Sequence, residues 1–238
     1  MIDIHAHILP HVDDGAADMQ DALLMAELAV EGGVHTIIAT PHSNIPGEVD
    51  NYYDPALMRR MTDLQERIKE RELPLILLPG MEIFGTEDAA QKIQQGRLIS
   101  LNNSGYYLVE FGFRRSGSWI TDILMSIRKT GGIPVVAHPE RYDCIQKKPE
   151  LALDWIDLGC QLQVNRGSIF GKFGRASFRA ADELLRNDWI TYVASDAHSP
   201  YQRTTFMGDV YDFLREEFSE KRARCLLASC IIQSVDDR

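Results

Sequence analysis

No apolar run in the 238-residue chain approaches the roughly 20 residues that span a bilayer, so membrane insertion is not expected. The opening MIDIHAH also lacks the basic stretch and apolar core of a secretory signal, and the expected location is the cytoplasm. Cysteine is scarce. Cys144, Cys160, Cys225 and Cys230 form no C-x-x-C pair, and in a reducing compartment they are expected as free thiols. Positive charge is short as well: 25 Lys and Arg face 35 Asp and Glu, for a net charge of −10. That balance argues against a nucleic-acid partner, because phosphate backbones are bound by clustered cations. A phosphorylated small molecule or peptide stays open as a ligand where the site is locally positive. No linker, low-complexity run or second hydrophobic cluster marks another domain, and a single domain over 1–238 is expected.

What is present is a periodic alternation. Seven short apolar segments each end in a small polar cluster: IDIHAH, HTIIATPH, LILLPGMEI, YYLVEFG, IPVVAHPER, CQLQVNRGS and ITYVASDAH. Several are nearly continuous in Val, Ile and Ala, which suits strands of a parallel sheet buried on both faces. Between them lie stretches with helical spacing. DMQDALLMAELAVEGG stops at Gly32-Gly33, and DPALMRRMTDLQERIKERELP has Asp54 as cap, Pro55 in its first turn and Pro74 beyond its end. Further helices are expected over about 118–130, 149–158, 174–187 and 204–217, with a last one near 219–230. Alternating strands and helices imply right-handed crossovers and a parallel sheet. Seven repeats over this length point to an α/β barrel, closed or nearly closed, with its site at the carboxyl ends of the strands.

Potential metal ligands crowd those ends. The first strand carries His5 and His7, the second His42, the third Glu82, the fourth Glu110, the fifth His138, and the seventh Asp196 and His198. One such residue alone is more often a surface group than a ligand. The joint pattern differs, since six of the seven histidines lie at or just beyond a strand end; the exception, His35, precedes its strand and reads as structural. Residues i and i+2 of a strand share a face, so His5 and His7 project together while Ala6 turns away. Imidazoles mixed with carboxylates suit Mn, Fe or Zn, and a carboxylate such as Glu82 can bridge two ions in the paired arrangement used in phosphoryl chemistry.

DIHAHILPHVDDG, ATPH, PGMEI, VEFG, AHPER and SDAH resemble, in order and spacing, the PHP (polymerase and histidinol phosphatase) superfamily. More narrowly they resemble the manganese-dependent bacterial protein-tyrosine phosphatases of capsule and exopolysaccharide operons, the CpsB/CapC type. The resemblance covers nearly the whole chain. It implies a distorted, TIM-barrel-like (β/α)7 barrel and a site of three divalent ions, foremost Mn2+ with Fe or Zn as substitutes. It also implies a cytoplasmic enzyme acting on the tyrosine-rich tail of a bacterial tyrosine kinase. By the resemblance, His5, His7, Glu82 and Asp196 hold one metal. Glu82 bridges to a second held by Glu110 and His138, and Asp14, His42 and His198 hold the third. His11 and Asp13 are left over; either could replace Asp14, which the spacing favours, and both otherwise read as groups that orient ligands.

Arg141, three residues after His138, and Arg203, five after His198, should overhang the mouth. Phosphate esters need cationic forks as well as metals, and the resemblance assigns both arginines to phosphate binding. Loops HSNIPGEVDNYYD and GFRRSGSW are expected to shape the mouth. Cys160 to Arg166 happens to match the C-x5-R spacing of cysteine-dependent phosphatases. Its residues alternate like a strand and lack the glycine-rich phosphate cradle, so Cys160 reads as a packed thiol, while Asn165, Arg166 and Ser168 are expected to line the mouth. Rival readings are a phosphatase for a small ester such as histidinol phosphate, a phosphodiesterase, and a metal-dependent amidohydrolase. The last often uses a bridging carbamylated lysine, and no lysine here lies at a strand end. A catalytically silent kinase-binding scaffold is disfavoured, because every expected ligand is present.

Overall fold

The computed structural model describes residues 1–48 and 50–227. Cys230 and the end of the helix expected near 219–230 lie outside the described residues. Chain order is β1 (Ile2–Ala6), α1 (Met19–Glu31), β2 (Thr36–Ala39), β3 (His42–Ser43), α2 (Pro55–Glu70), β4 (Ile76–Pro79), β5 (Glu82–Phe84), α3 (Ala89–Gln94), β6 (Tyr106–Glu110) and α4 (Gly117–Arg128). It continues through β7 (Ile133–Ala137), α5 (Asp143–Lys147), α6 (Leu151–Asp157), β8 (Gln161–Asn165), α7 (Arg166–Ile169), α8 (Arg175–Arg186), β9 (Tyr192–Ala194), α9 (Gly208–Glu217) and α10 (Glu220–Leu226).

The helix signals act as read. Asp18 caps α1 by accepting from Asp21 N at 2.9 Å, and Gly33, with φ of +80°, turns the chain out of it. Asp54 Oδ1 accepts from both Ala56 N and Leu57 N at 2.8 Å at the start of α2. α9 starts at Gly208, later than the expected 204, because the preceding segment is held as a loop: the Thr205 hydroxyl donates to the Met25 carbonyl of α1.

Among the described residues all strand pairs are parallel, in a three-stranded sheet ordered β1-β2-β4 and a six-stranded sheet ordered β3-β5-β6-β7-β8-β9. The architecture is mixed α/β with parallel sheets. Expected strands two and three are each divided, at Thr40-Pro41 and at Gly80-Met81. Proline cannot donate to a ladder, and a Cβ on Gly80 would stand 2.7 Å from Ile38 Cγ2, so the chain passes too close there for any side chain. At the outer edges, Ala6 and Ala197 form a parallel bridge, with His7 N donating to Ala197 O at 2.8 Å and Asp196 N to His5 O at 2.9 Å.

Strand residues alternate between two apolar layers. Ile37, Val109 and Val136 pack against the helices, while Ile38, Leu108 and Val135 meet Ile4, Leu101, Tyr192 and Ala194 on the other face. Burial on both faces explains the continuous apolar runs. No described helix is long and apolar enough to cross a membrane.

Candidate metal centre

The carboxyl ends of the strands bring the nine expected ligands, five imidazoles and four carboxylates, into one cluster. Glu82, buried, is its hub. His138 Nε2 and His5 Nε2 lie 2.9 and 3.1 Å from one of its oxygens, and His42 Nδ1 and His7 Nε2 lie 3.0 and 3.2 Å from the other. Asp196 Oδ1 faces His5 Nε2 at 3.4 Å and both His7 Nε2 and His198 Nδ1 at 3.6 Å. Asp14, which is exposed, reaches His198 Nε2 at 3.4 Å and His42 Nε2 at 3.5 Å. Among the described residues three sets of donor atoms are mutually close enough to share an ion: His5, His7 and Asp196; His42, Glu82 and Glu110; and His7, Asp14, His42 and His198. His7 and His42 each belong to two sets. His138 lies nearer Glu82 than Glu110, which is 3.9 Å away.

The imidazoles are oriented from behind. His7 Nδ1 meets Asp13 Oδ2 at 2.8 Å, and His5 Nδ1 meets Gln163 Oε1 at 2.9 Å. The amide directions follow from a chain of contacts: Asn165 Nδ2 donates to Asp196 Oδ2, so Asn165 Oδ1 accepts from Gln163 Nε2 at 2.8 Å, which turns Gln163 Oε1 toward His5. Both histidines therefore carry hydrogen on Nδ1, and their Nε2 atoms face each other 3.3 Å apart. Two lone pairs at that distance require a positive centre, either a proton or a metal cation. Protons alone leave the cluster unsatisfied: buried His138 Nδ1 has no hydrogen-bond partner among the described residues, and His42 Nδ1 and Glu82 Oε2, though 3.0 Å apart, are not aligned for a hydrogen bond. This mixed nitrogen and oxygen donor set fits divalent cations of the Mn, Fe and Zn type.

Electrostatics reflect the crowding. Burial opposes charge on His7, but Asp13, Asp196 and Glu82 overcome it and hold the ring well above its ordinary value. Burial is likewise outweighed at His42, which Glu110 and Glu82 raise to about 10. Burial would raise Glu82 and Asp196, yet His5 and its neighbours hold both well below the usual carboxylate range. His198 is driven the other way, to about 2, by burial and by the charge on His7.

Two cationic forks border the cluster. Arg203 Nη2 lies 2.5 Å and Arg141 Nη1 3.5 Å from Asp196 Oδ2, and Arg203 Nε donates to the Asp196 carbonyl at 3.1 Å. Arg141 is flanked by aromatic rings, its guanidinium carbon 4.4 Å from the Phe113 centroid and 4.5 Å from that of Phe173. His138 and Asp196 have φ of +35° and +51°, a left-handed conformation that non-glycine residues adopt at some cost and that turns the chain sharply at the strand end.

Several contributors escaped the sequence reading. Glu140, fully buried, accepts from Ser168 Oγ at 2.5 Å and Asn165 N at 3.2 Å, tying the exit of β7 to that of β8. The Tyr142 hydroxyl donates to Ala137 O at 2.7 Å and accepts from Phe111 N at 3.1 Å. Asp3 accepts from Ser195 N and Oγ at 3.0 and 2.5 Å, next to Asp196. A Cβ on Gly15 would stand 2.1 Å from His7 O, so only glycine lets the first loop close over the histidine. The signal for Gln163 was there, since polar residues in a buried strand need partners, and Asn165, expected at the mouth, is one of them. Of the leftover pair, Asp13 contacts His7, whereas His11 is exposed with φ of +58°. Arg166 pairs with Asp209 at 2.7 and 2.5 Å, and Ser168 is buried beneath Glu140. Cys160 is buried at the start of β8, and burial pushes its thiol up to about 12, far from a nucleophilic thiolate.

Parallel α/β architecture with imidazoles and carboxylates converging beyond the strand ends defines a metal-dependent hydrolase. Within that class, the chain belongs to the family Capsular polysaccharide synthesis, CpsB/CapC, which matches residues 1–233. It is 38% identical over 222 residues to the tyrosine-protein phosphatase YwqE of Bacillus subtilis (strain 168), covering 93% of this chain and 86% of that protein. It is 31% identical over 229 residues to the tyrosine-protein phosphatase CpsB of Streptococcus pneumoniae, covering 94% and 93%. Among solved structures, one from the set "YwqE from Bacillus subtilis and CpsB from Streptococcus pneumoniae, unique metal-dependent tyrosine phosphatases" superposes with a TM-score of 0.85 at 36% identity, over 95% of this chain and 94% of that one.

Proposed function

We propose that this chain is a metal-dependent, non-cysteine protein-tyrosine phosphatase that dephosphorylates the tyrosine-rich tail of a bacterial tyrosine kinase and so regulates capsular or extracellular polysaccharide synthesis. The observation that carries the reading is the pair of guanidinium groups, Arg141 and Arg203, standing at Asp196 on the border of a nine-donor cluster. Carboxylates and imidazoles bind cations; adjoining arginines add affinity for an anionic ester. The names of the relatives support tyrosine phosphate as the ester.

In this proposal His5, His7, Asp14, His42, Glu82, Glu110, His138, Asp196 and His198 hold three divalent ions, foremost manganese, inside one cytoplasmic domain spanning 1–238. The domain is read as a distorted (β/α)7 barrel in which β2 with β3, and β4 with β5, count as single strands. The Ala6–Ala197 bridge supports closure. When bound, divalent ions polarise phosphoryl oxygens and lower the pKa of water toward neutrality. Asp13 and Gln163 hold His7 and His5 with Nε2 inward. Arg141 and Arg203 grip the remaining phosphoryl oxygens and offset the charge that moves during transfer. A phenol, with a pKa of about 10, leaves with little acid assistance, so the site needs no strong proton donor.

The test is turnover of a phosphotyrosine peptide against histidinol phosphate by the manganese-reconstituted protein. Preference for the peptide is expected; preference for the small ester would overturn the protein-phosphatase reading.

A further inference from the structure

A cleft of about 610 Å3 opens directly from the cluster. Asp14, His42 and Glu110 of the cluster line it together with the apolar side chains of Ile45, Phe84 and Phe113, and Glu48 and Arg115 add charge of both signs. Phe113 is 40% exposed, high for a large apolar side chain, and its ring lies 4.4 Å from the Arg141 guanidinium carbon and 6.0 Å from the His138 ring. One aromatic face thus adjoins both the group suited to grip phosphate and the donors suited to hold metal. A ligand with a dianionic head and a flat apolar ring matches both features. An alkyl phosphate has the head alone.

We propose that Phe113, with Phe84 beside it, forms an aryl subsite: the ring of a phosphorylated phenol packs along Phe113 while its phosphate reaches Arg141 and the cluster. This assignment rests on the phosphatase reading and names the residue that makes it selective for aryl esters. Phe173 supplies the internal comparison. It also touches Arg141, at 4.5 Å, but lines a different cavity together with Arg203 and Lys172. Loss of Phe173 therefore disturbs Arg141 without removing the wall of the cleft.

The experiment compares phenylphosphonate and methylphosphonate, which share the anionic head and differ in the ring, by calorimetric binding to the manganese-loaded protein. Phe113→Ala should weaken phenylphosphonate roughly tenfold, as expected for losing an aromatic pair and its buried area, and methylphosphonate less than about twofold. Phe113→Trp should keep the wild-type discrimination, and Phe173→Ala should affect both ligands alike. Metal content and thermal midpoint, measured on each variant, report folding independently. An unchanged ratio of the two affinities in Phe113→Ala, or an equal loss of both, overturns the subsite while wild-type hydrolysis of phosphotyrosine leaves the phosphatase reading standing. Absence of both hydrolysis and phosphonate binding in the wild-type protein overturns the two together.

Discussion

Gln163 Oε1 stands 2.9 Å from His5 Nδ1 with both side chains fully buried, and its direction is set because Gln163 Nε2 is already committed to Asn165. The amide therefore selects the tautomer of His5 whose Nε2 faces the cluster. Gln163→Leu should weaken metal binding by roughly 10- to 100-fold, the scale for losing a group that orients a ligand. Gln163→Glu, which keeps an acceptor at His5, should recover much of it. Competition with a chromogenic chelator measures both; wild-type affinity in the leucine variant would contradict the role.

Metal uptake should release protons. Without metal, His7 is held well above its ordinary value by Asp13, Asp196 and Glu82 against its burial, and His42 is raised to about 10, so both rings are charged near neutral pH. A cation needs neutral imidazoles, and binding should displace protons, measurable by calorimetry in buffers of different ionisation enthalpy. The folded-state value of His42 lies above its unfolded value of 6.5. Its stabilisation of the metal-free protein is thus complete below that value and is lost as pH climbs through about 10. The thermal midpoint of the metal-free protein should fall over that window, and a flat profile would count against the charged His42.

Cys160 provides a separation of mechanisms. A buried thiol with its pKa pushed up to about 12 supplies almost no thiolate at neutral pH. Cys160→Ser should keep most of the activity and form no phosphoenzyme; a folded, metal-loaded and inactive variant would restore a cysteine mechanism.

The arginines should separate kinetically. Arg141→Ala is expected to reduce kcat roughly 100-fold or more, as for loss of one charge-stabilising donor. Arg203→Ala should act more strongly on KM, and the contacts of Arg203 with both the side chain and the carbonyl of Asp196 add an expected loss of bound metal. Steady-state kinetics with metal analysis decides; near-wild-type values for both would remove the arginines from the mechanism.

Much of this site was legible because its donors sit at fixed positions relative to strand ends, which local patterning locates well. His5 and His7 follow from an i, i+2 spacing, and Glu82, Glu110 and His138 each end or follow an apolar run. What stayed hidden depends on pairing between distant strands. Nothing local says that Gln163 meets His5 or that Asp3 meets Ser195, 192 residues away. The division of expected strands two and three arises from Pro41 and the close approach at Gly80, where tertiary packing overrides a continuous apolar pattern. The short helices α3, α5 and α7 carry too few turns for a periodic signal.

The most direct test of the central claim is phosphotyrosine-peptide hydrolysis by protein stripped of metal to a verified blank and then titrated with manganese. Activity should be absent from the stripped protein and return with manganese, while the thermal midpoint rises because only the folded chain assembles the nine donors. Full activity in the verified metal-free protein would contradict the account.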